Sequence, residues 1–233
     1  MKNYNAFILV LVVAFFASCA TTKNYIQIAQ TLPTNPETLR INEDGKYFYQ
    51  DENCKIVFDL WGEGGRSNFV VYNYSDEALV LCADECLITK EGYTNDMFSE
   101  AIGTAIAPHS FRSFSGLKLG YERIFDCDLS IRPVTNVPAS FAYDLSSTPT
   151  RFSFYITYIK SISREKKSID FPFYISRVTN YLRSDIIQRT TESKTSISCE
   201  NVPYSRTVTY DEIQYKYLFS PATGFYVKYS IVE

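Results

Sequence analysis

The cysteines and the single histidine are the side chains of this 233-residue chain best suited to nucleophilic or metal chemistry. Cys82 and Cys86 stand four apart, on one face of a strand but too far apart for a disulfide unless the chain turns between them. A zinc site would need closer clusters or several histidines, so we expect no metal. We expect buried thiols, with one disulfide as the alternative. Besides Cys19 the cysteines are Cys54, Cys82, Cys86, Cys127 and Cys199, an odd number that leaves one unpaired in a monomer.

His109 is the only candidate for a histidine general base. Its surroundings, APHSFRSFSG, contain no nucleophile elbow and no cysteine-protease signature, so we interpret it as a loop residue beside Pro108. A Cys–His pair stays open as the alternative. Paired acids flank Cys127 and occur at Asp76-Glu77 and Asp84-Glu85, where turns are expected, and we assign them no catalytic role.

The run GEGG at residues 62–65 could present backbone N–H groups to an anion only if a helix followed. A strand pattern follows instead, so we expect a tight turn and no bound cofactor. The sole tryptophan, Trp61, precedes this turn, and both a core position and stacking on a sugar are open for it.

Short alternating runs predict the elements that must position these residues, because a period of two is the signature of a half-buried strand. We expect four turns, each with a strand on both sides. They lie at Gln50–Asn53, at YSDE, at Lys90-Glu91-Gly92 and at SPATG near the end of the chain. Phe69 and Val71 should share one face. The pattern indicates an all-β protein, an antiparallel β-sandwich of immunoglobulin-like type with a C-terminal β-hairpin and at most one or two short helices.

Two segments are the only helix candidates. We expect a turn or two over Asn95–Ile102 and a helix over Ser176–Gln188, although the β-branched residues of the second suit a strand equally well. Residues 188–205 are polar and aperiodic, which predicts a loop.

Charge is unevenly spread. Residues 41–100 hold thirteen acids and four bases, whereas residues 151–183 hold seven bases and two acids. We interpret the two charged segments as two solvated faces. The alternative is a basic edge that faces anionic lipid, glycan or protein. The net charge of −3 gives no indication of a nucleic-acid partner.

The N-terminus has the form of an export signal: Lys2, eleven apolar residues from Ala6 to Phe16, and the small pair Ala17-Ser18. This apolar run is too short for a permanent membrane helix. The run Phe16-Ala17-Ser18-Cys19 resembles the bacterial lipobox, which implies that Cys19 is acylated and becomes the first mature residue. We therefore divide the chain into a lipoprotein signal peptide (1–18), a tether (19–24) and a single sandwich domain (25–233) with a C-terminal extension from about 184.

The runs YFYQDENCKIVFDLWGEGGRSNFVVYNYSDEALVL and ITKEGYTNDMF resemble a family of uncharacterised lipoproteins from Bacteroidota-type bacteria. Weaker likeness continues through IAPHSFRSFS and FSFYITY. The resemblance implies a sandwich body at the cell envelope and attaches no activity to it. The resemblance implies that surface-exposed lipoproteins of such bacteria usually carry acids directly after the lipidated cysteine. Ala20-Thr21-Thr22-Lys23 has none, which favours the outer membrane facing the periplasm.

The expected function is non-enzymatic: a lipid-anchored cell-envelope protein that binds or scaffolds a protein or glycan partner and is held to membrane lipid through Cys19. The alternative is an envelope hydrolase or a carbohydrate-binding accessory protein with a site built from distant loops. An aromatic row on one sheet face would favour glycan binding. A cleft that brings His109 together with a nucleophile and an acid would favour catalysis.

Overall fold

The computed structural model describes residues 22–98, 104–124, 138–198, 206–218 and 220–232. Two short helical turns occur there, a 3-10 turn at Ala83–Glu85 and one α-helical turn, α1 (Arg183–Ile186). The described strands, in chain order, are β1 (Thr22–Pro33), β2 (Arg40–Ile41), β3 (Tyr47–Gln50), β4 (Cys54–Asp59), β5 (Arg66–Asn73), β6 (Leu79–Leu81), β7 (Leu87–Lys90), β8 (Tyr93–Asp96), β9 (Ala105–Ile106), β10 (Phe111–Lys118), β11 (Ala139–Ala142), β12 (Arg151–Lys160), β13 (Lys166–Leu182), β14 (Ile187–Ser198), β15 (Arg206–Tyr217) and β16 (Gly224–Val232).

The larger sheet has nine described strands. Six of them lie in the order β16-β1-β13-β12-β6-β9, and β7, β8 and β11 attach beside this path. Its longest strand is β13, which pairs with β1 along one edge and with β12 and then β11 along the other. The hairpin β7–β8 attaches to the first half of β12. Glu91 and Gly92 both have positive φ at its tip, at the turn that the sequence predicts.

The smaller sheet has five described strands in the order β10-β5-β4-β3-β2. Burial alternates along β4 and β5, so Phe69 and Val71 face inward as predicted while Val70 and Tyr72 face outward. The turn predicted at Gln50–Asn53 joins β3 to β4. By contrast β5 and β6 lie in different sheets, so YSDE carries the chain from one sheet to the other instead of closing a hairpin.

Aromatic side chains fill the space between the two sheets. The ring of Phe58, from the smaller sheet, lies 5.6 Å from that of Phe154 and 5.0 Å from that of Phe171, both from the larger sheet. All three side chains are fully buried. Edge-to-face and offset contacts of this kind add to the free energy of burying the rings. The predicted all-β, antiparallel sandwich-like fold is therefore confirmed.

The C-terminal part differs from the prediction in its pairing. The predicted loop at 188–205 is wrong over its described part, because β14 pairs with β15 in a separate two-stranded sheet. β16 does not pair with β15; it lies beside β1 in the larger sheet. The sequence of residues 188–198 is polar and lacks the apolar alternation from which a strand is predicted, so it indicates a loop where the chain forms a strand.

The two helix predictions also need correction. Residues 176–182 belong to β13, and only the single turn α1 is helical. Pairing with β1 and β11 outweighs the weak helical stripe, and the β-branched Val178 and Thr179 fit a pleated sheet. Asn95 and Asp96 end β8, so the predicted turn at Asn95–Ile102 is wrong there, and residues 99–102 lie outside the described part.

The predicted signal peptide at 1–18 and Cys19 lie outside the described residues. β1 begins at Thr22, so part of the segment predicted as a tether is a paired strand. Among the described residues, no helix is long and apolar enough to cross a membrane.

Candidate recognition surface

His109 lies in the connection between β9 and β10 and is exposed, with φ at 52°. Its Nε2 atom is 2.8 Å from the Oδ1 atom of Asp76, a carboxylate that is itself almost fully in solvent. The neighbouring hydroxyl of Ser110 donates to the backbone oxygen of Ala107. Among the described contacts, neither a cysteine nor a serine hydroxyl meets the imidazole, so these residues do not form a nucleophile–base pair.

The three described cysteines are free thiols. Burial, with the charge of Asp51 as a second cause, raises the pKa of Cys54 to about 12. Burial also raises the pKa of Cys86 to about 11 and that of the partly exposed Cys82. The chain does turn at Ala83–Glu85, yet no disulfide joins the cysteines on either side. Thiols held in the protonated form are poor nucleophiles and poor metal ligands.

Cys127, Cys199, Asp126 and Asp128 lie outside the described residues. Within the described part of the chain, no group of three or more His, Cys, Asp or Glu side chains is placed to hold a metal ion.

A polar cluster that links the two sheets surrounds Asp51, in the turn between β3 and β4. Its Oδ1 atom accepts hydrogen bonds from the backbone N–H groups of Asn53 and Cys54, both at 2.8 Å. Its Oδ2 atom lies 2.6 Å from Nζ of Lys167 and accepts from the hydroxyl of Tyr49. Lys167 belongs to the larger sheet and Asp51 to the smaller one, so the ion pair links the two layers.

The electrostatics of this cluster argue against catalysis. Burial alone raises the pKa of Asp51, but the hydrogen bonds from Lys167 and the two backbone N–H groups outweigh it and lower the pKa to about 2. The same ion pair raises the pKa of Lys167. An acid ionised so firmly, with its lone pairs already engaged, cannot act as a proton shuttle near neutral pH. No sequence motif marks Asp51, and its place in a polar turn is the only local signal at this position.

Two described ion pairs join the acidic segment 41–100 to the basic segment 151–183. Lys166 contacts Glu85, and Lys167 contacts Asp51, so the acidic and basic segments meet inside one fold. Glu77 accepts hydrogen bonds from the backbone N–H groups of Ile162 and Ser163 in the β12–β13 turn. The segment 151–183 is therefore not one free basic face.

Trp61 and the GEGG turn belong to the packing beneath the hairpin. The indole ring lies 5.6 Å from the ring of Tyr217 and 5.0 Å from that of Tyr226. A Cβ atom on Gly62 would fall 1.9 Å from the backbone oxygen of Arg66, so glycine is required there. The turn predicted at GEGG is confirmed, and Trp61 is partly buried against the base of the β14–β15 hairpin and β16.

The outer face of the smaller sheet carries a row of partly or fully exposed apolar and aromatic side chains. The Phe111 side chain is 65 % exposed and its ring lies 5.5 Å from that of Tyr72 on the neighbouring strand. Further along, Nζ of Lys55 sits 4.7 Å above the ring of Phe48, in a cation–π arrangement. We call this surface the recognition face; its members are Phe48, Lys55, Val57, Val70, Tyr72 and Phe111.

A shallow groove of about 290 Å³ runs beside that row. Val57 and Val70 form part of its floor, and Asn68, Ser113 and Ser115 supply exposed amide and hydroxyl groups. Its rim includes the ion pair of Lys46 with Asp59, 2.7 Å apart. An apolar floor with a few hydrogen-bonding groups is the usual makeup of a ligand-binding site.

Cross-strand register explains why these residues meet. Phe48 pairs with Val57 and Val57 with Val70, while Lys55 pairs with Tyr72 and Tyr72 with Phe111. Strands lie about 4.8 Å apart, so these two adjacent sets of residues together span about 14 Å across four strands. The sequence pattern placed Val70 and Tyr72 on one face but could not show which strands would lie beside them.

A second cleft, of about 510 Å³, opens between β12, β13 and the β7–β8 turn. Phe152, Phe173 and Pro172 line it with Arg151 and Glu91. The Glu91 carboxylate is occupied by a hydrogen bond from Thr150, which in turn contacts the hydroxyl of Tyr121. This cleft also lacks a described nucleophile and base in contact.

No family model, curated protein or solved structure matches this chain.

Proposed function

We propose that this chain is a lipid-anchored, non-enzymatic binding protein of the bacterial cell envelope, and that its recognition face holds a glycan chain. The observation that carries the proposal is the exposed or half-buried aromatic side chains of the recognition face, which lie beside a groove with amide and hydroxyl groups. Flat rings offer apolar surface to the faces of sugar rings, and the neighbouring amide and hydroxyl groups offer hydrogen bonds to sugar hydroxyls. The lipobox-like run that ends at Cys19 supports a location at the cell envelope. The proposed location is the outer membrane, on the side that faces the periplasm.

The described titratable groups support binding over hydrolysis. His109 contacts an exposed carboxylate, Asp51 is held ionised, and the thiols of Cys54 and Cys86 are held protonated. A hydrolase needs an acid, base or nucleophile that changes its protonation state near neutral pH. Hydrolysis of the oligosaccharide is therefore the alternative outcome of the binding experiment.

Titration calorimetry with soluble oligosaccharides from peptidoglycan and lipopolysaccharide tests the glycan proposal. We expect one class to bind, and Phe111→Ala to weaken it about tenfold or more, as truncating an aromatic anchor does. Ile162→Ala is the matched control, because Ile162 is 79 % exposed but lies in the β12–β13 turn. Absence of binding by every oligosaccharide, equal loss in both variants, or sugar turnover abolished by His109→Ala would each contradict the proposal.

The anchor is tested separately. In cells given a labelled fatty acid, the wild-type chain should take up the label and sediment with membranes. Cys19→Ala should lose the label and the membrane attachment, because two or three acyl chains are needed for stable anchoring. Label retained by the Cys19→Ala chain would refute acylation at this residue.

A further inference from the structure

A basic cleft lies at the end of the larger sheet where the described chain begins. Its volume is about 580 Å³, and its lining residues are Lys23, Asn24, Leu182, Arg183, Ser184, Ile187 and Arg189. The three cations come from three different elements: β1, α1 and β14. Asp185 is the one acid on α1, and it accepts a hydrogen bond from Ser184. The arrangement concentrates positive charge at a single concave site.

The position of this cleft relative to Cys19 suggests its occupant. Lys23 follows Cys19 by four residues, and an extended chain advances at most about 3.6 Å per residue, so their Cα atoms lie within about 14 Å of each other. An acylated Cys19 would lie at the membrane–water interface. This short connection lets the cleft reach the membrane surface, where the potential of anionic lipids acts on cations within about 8 Å at physiological salt.

We infer that the basic cleft binds the phosphodiester headgroups of anionic phospholipids and so orients the anchored domain on its membrane. The inference rests on the lipid anchor of the proposed function, but not on the glycan ligand. Arginine suits this role because its planar guanidinium group donates paired hydrogen bonds to phosphate oxygens. Two of the three cations are arginines, and the Arg183 and Arg189 side chains are exposed.

Co-sedimentation with lipid vesicles tests this inference without the anchor. The chain starting at Ala20 keeps every described residue and lacks the acylation site. At low ionic strength it should sediment with vesicles containing phosphatidylglycerol and remain in solution with pure phosphatidylcholine vesicles. Arg183→Gln with Arg189→Gln should lower the partition coefficient about fivefold for each cation removed.

The matched control replaces two other exposed arginines, Arg40→Gln with Arg164→Gln, and so gives the same net charge. Arg164 lies in the turn before β13, at the opposite end of that 17-residue strand from the cleft. Sedimentation with phosphatidylcholine, an unchanged partition coefficient for the cleft variant, or an equal loss in the control would overturn the inference. Because this chain carries no acyl group, failure here is distinct from failure of acylation at Cys19.

Discussion

Asp51 joins the β3–β4 turn to the larger sheet through a single carboxylate. Its oxygens are occupied by two backbone N–H groups, the hydroxyl of Tyr49 and the ammonium group of Lys167. A half-buried carboxylate is tolerated only because these donors replace the water that it loses. Removing the charge while keeping the shape should therefore reveal what the ion pair contributes to stability.

Asp51→Asn should lower the free energy of unfolding at pH 7 by about 1–2 kcal/mol, allowing for solvent around Lys167. The folded-state pKa, about 2, lies below the ordinary value of 3.8. This stabilisation is therefore fully present above pH 3.8 and is lost as the pH falls towards 2. Urea unfolding across this range should show the two proteins converging at the acid end.

Asp44→Asn is the control for that experiment, since Asp44 is exposed in the β2–β3 turn. It should leave the free energy of unfolding almost unchanged, as surface substitutions usually do. A constant difference between Asp51→Asn and wild type down to pH 2 would contradict the linkage.

The burial or turn conformation of a single residue is predictable where the neighbouring sequence determines it. Buried thiols were expected, and Cys54 and Cys86 are buried; a tight turn was expected at GEGG and is present. Asp51 was not found because its partner Lys167 lies more than a hundred residues away, and no local pattern records such a contact. The position of Trp61 was left open for the same reason, since Tyr217 and Tyr226 come from the end of the chain.

At the scale of elements, alternation predicted strands well and pairing poorly. β3, β4, β5 and β12 stand where the period of two placed them. The prediction missed that β5 and β6 belong to different sheets and that β14 is a strand. A strand's partner depends on the whole topology, which no local pattern records, and the sequence of β14 lacks the apolar alternation from which a strand is predicted.

Two phenylalanines in the smaller sheet separate the structural role from the proposed binding role. Phe58 on β4 faces the core and is fully buried, whereas Phe111 on β10 lies on the recognition face. Phe58→Ala should lower the free energy of unfolding by about 3–5 kcal/mol because it leaves a cavity among four rings. Phe111→Ala should change it by no more than about 0.5 kcal/mol.

Chemical denaturation of both variants measures these values. Equal destabilisation would show that Phe111 is part of the core packing, and it would remove the reason for assigning its exposure to ligand binding. A small effect for Phe111→Ala also keeps the binding titration interpretable, because the variant would then be folded.

At the scale of the whole molecule, the sandwich separates three tasks. The core between the sheets provides stability, the recognition face is the proposed ligand surface, and the end of the larger sheet at Thr22 carries the basic cleft. Two ion pairs, Lys166 with Glu85 and Lys167 with Asp51, join the acidic and basic segments of the sequence. The lysine and two arginines of the basic cleft, at the Thr22 end of the larger sheet, lie near the proposed anchor in the chain.

The central claim is that the outer face of the five-stranded sheet binds a glycan. Amide NMR spectra of the isotope-labelled chain starting at Ala20, titrated with the oligosaccharide that binds it, test this claim most directly. The account predicts that chemical-shift changes concentrate at Phe48, Val57, Val70, Tyr72 and Phe111 and at the groove residues beside them. Changes centred instead on His109 or on the cleft between β12 and β13, with the recognition face unaffected, would contradict it.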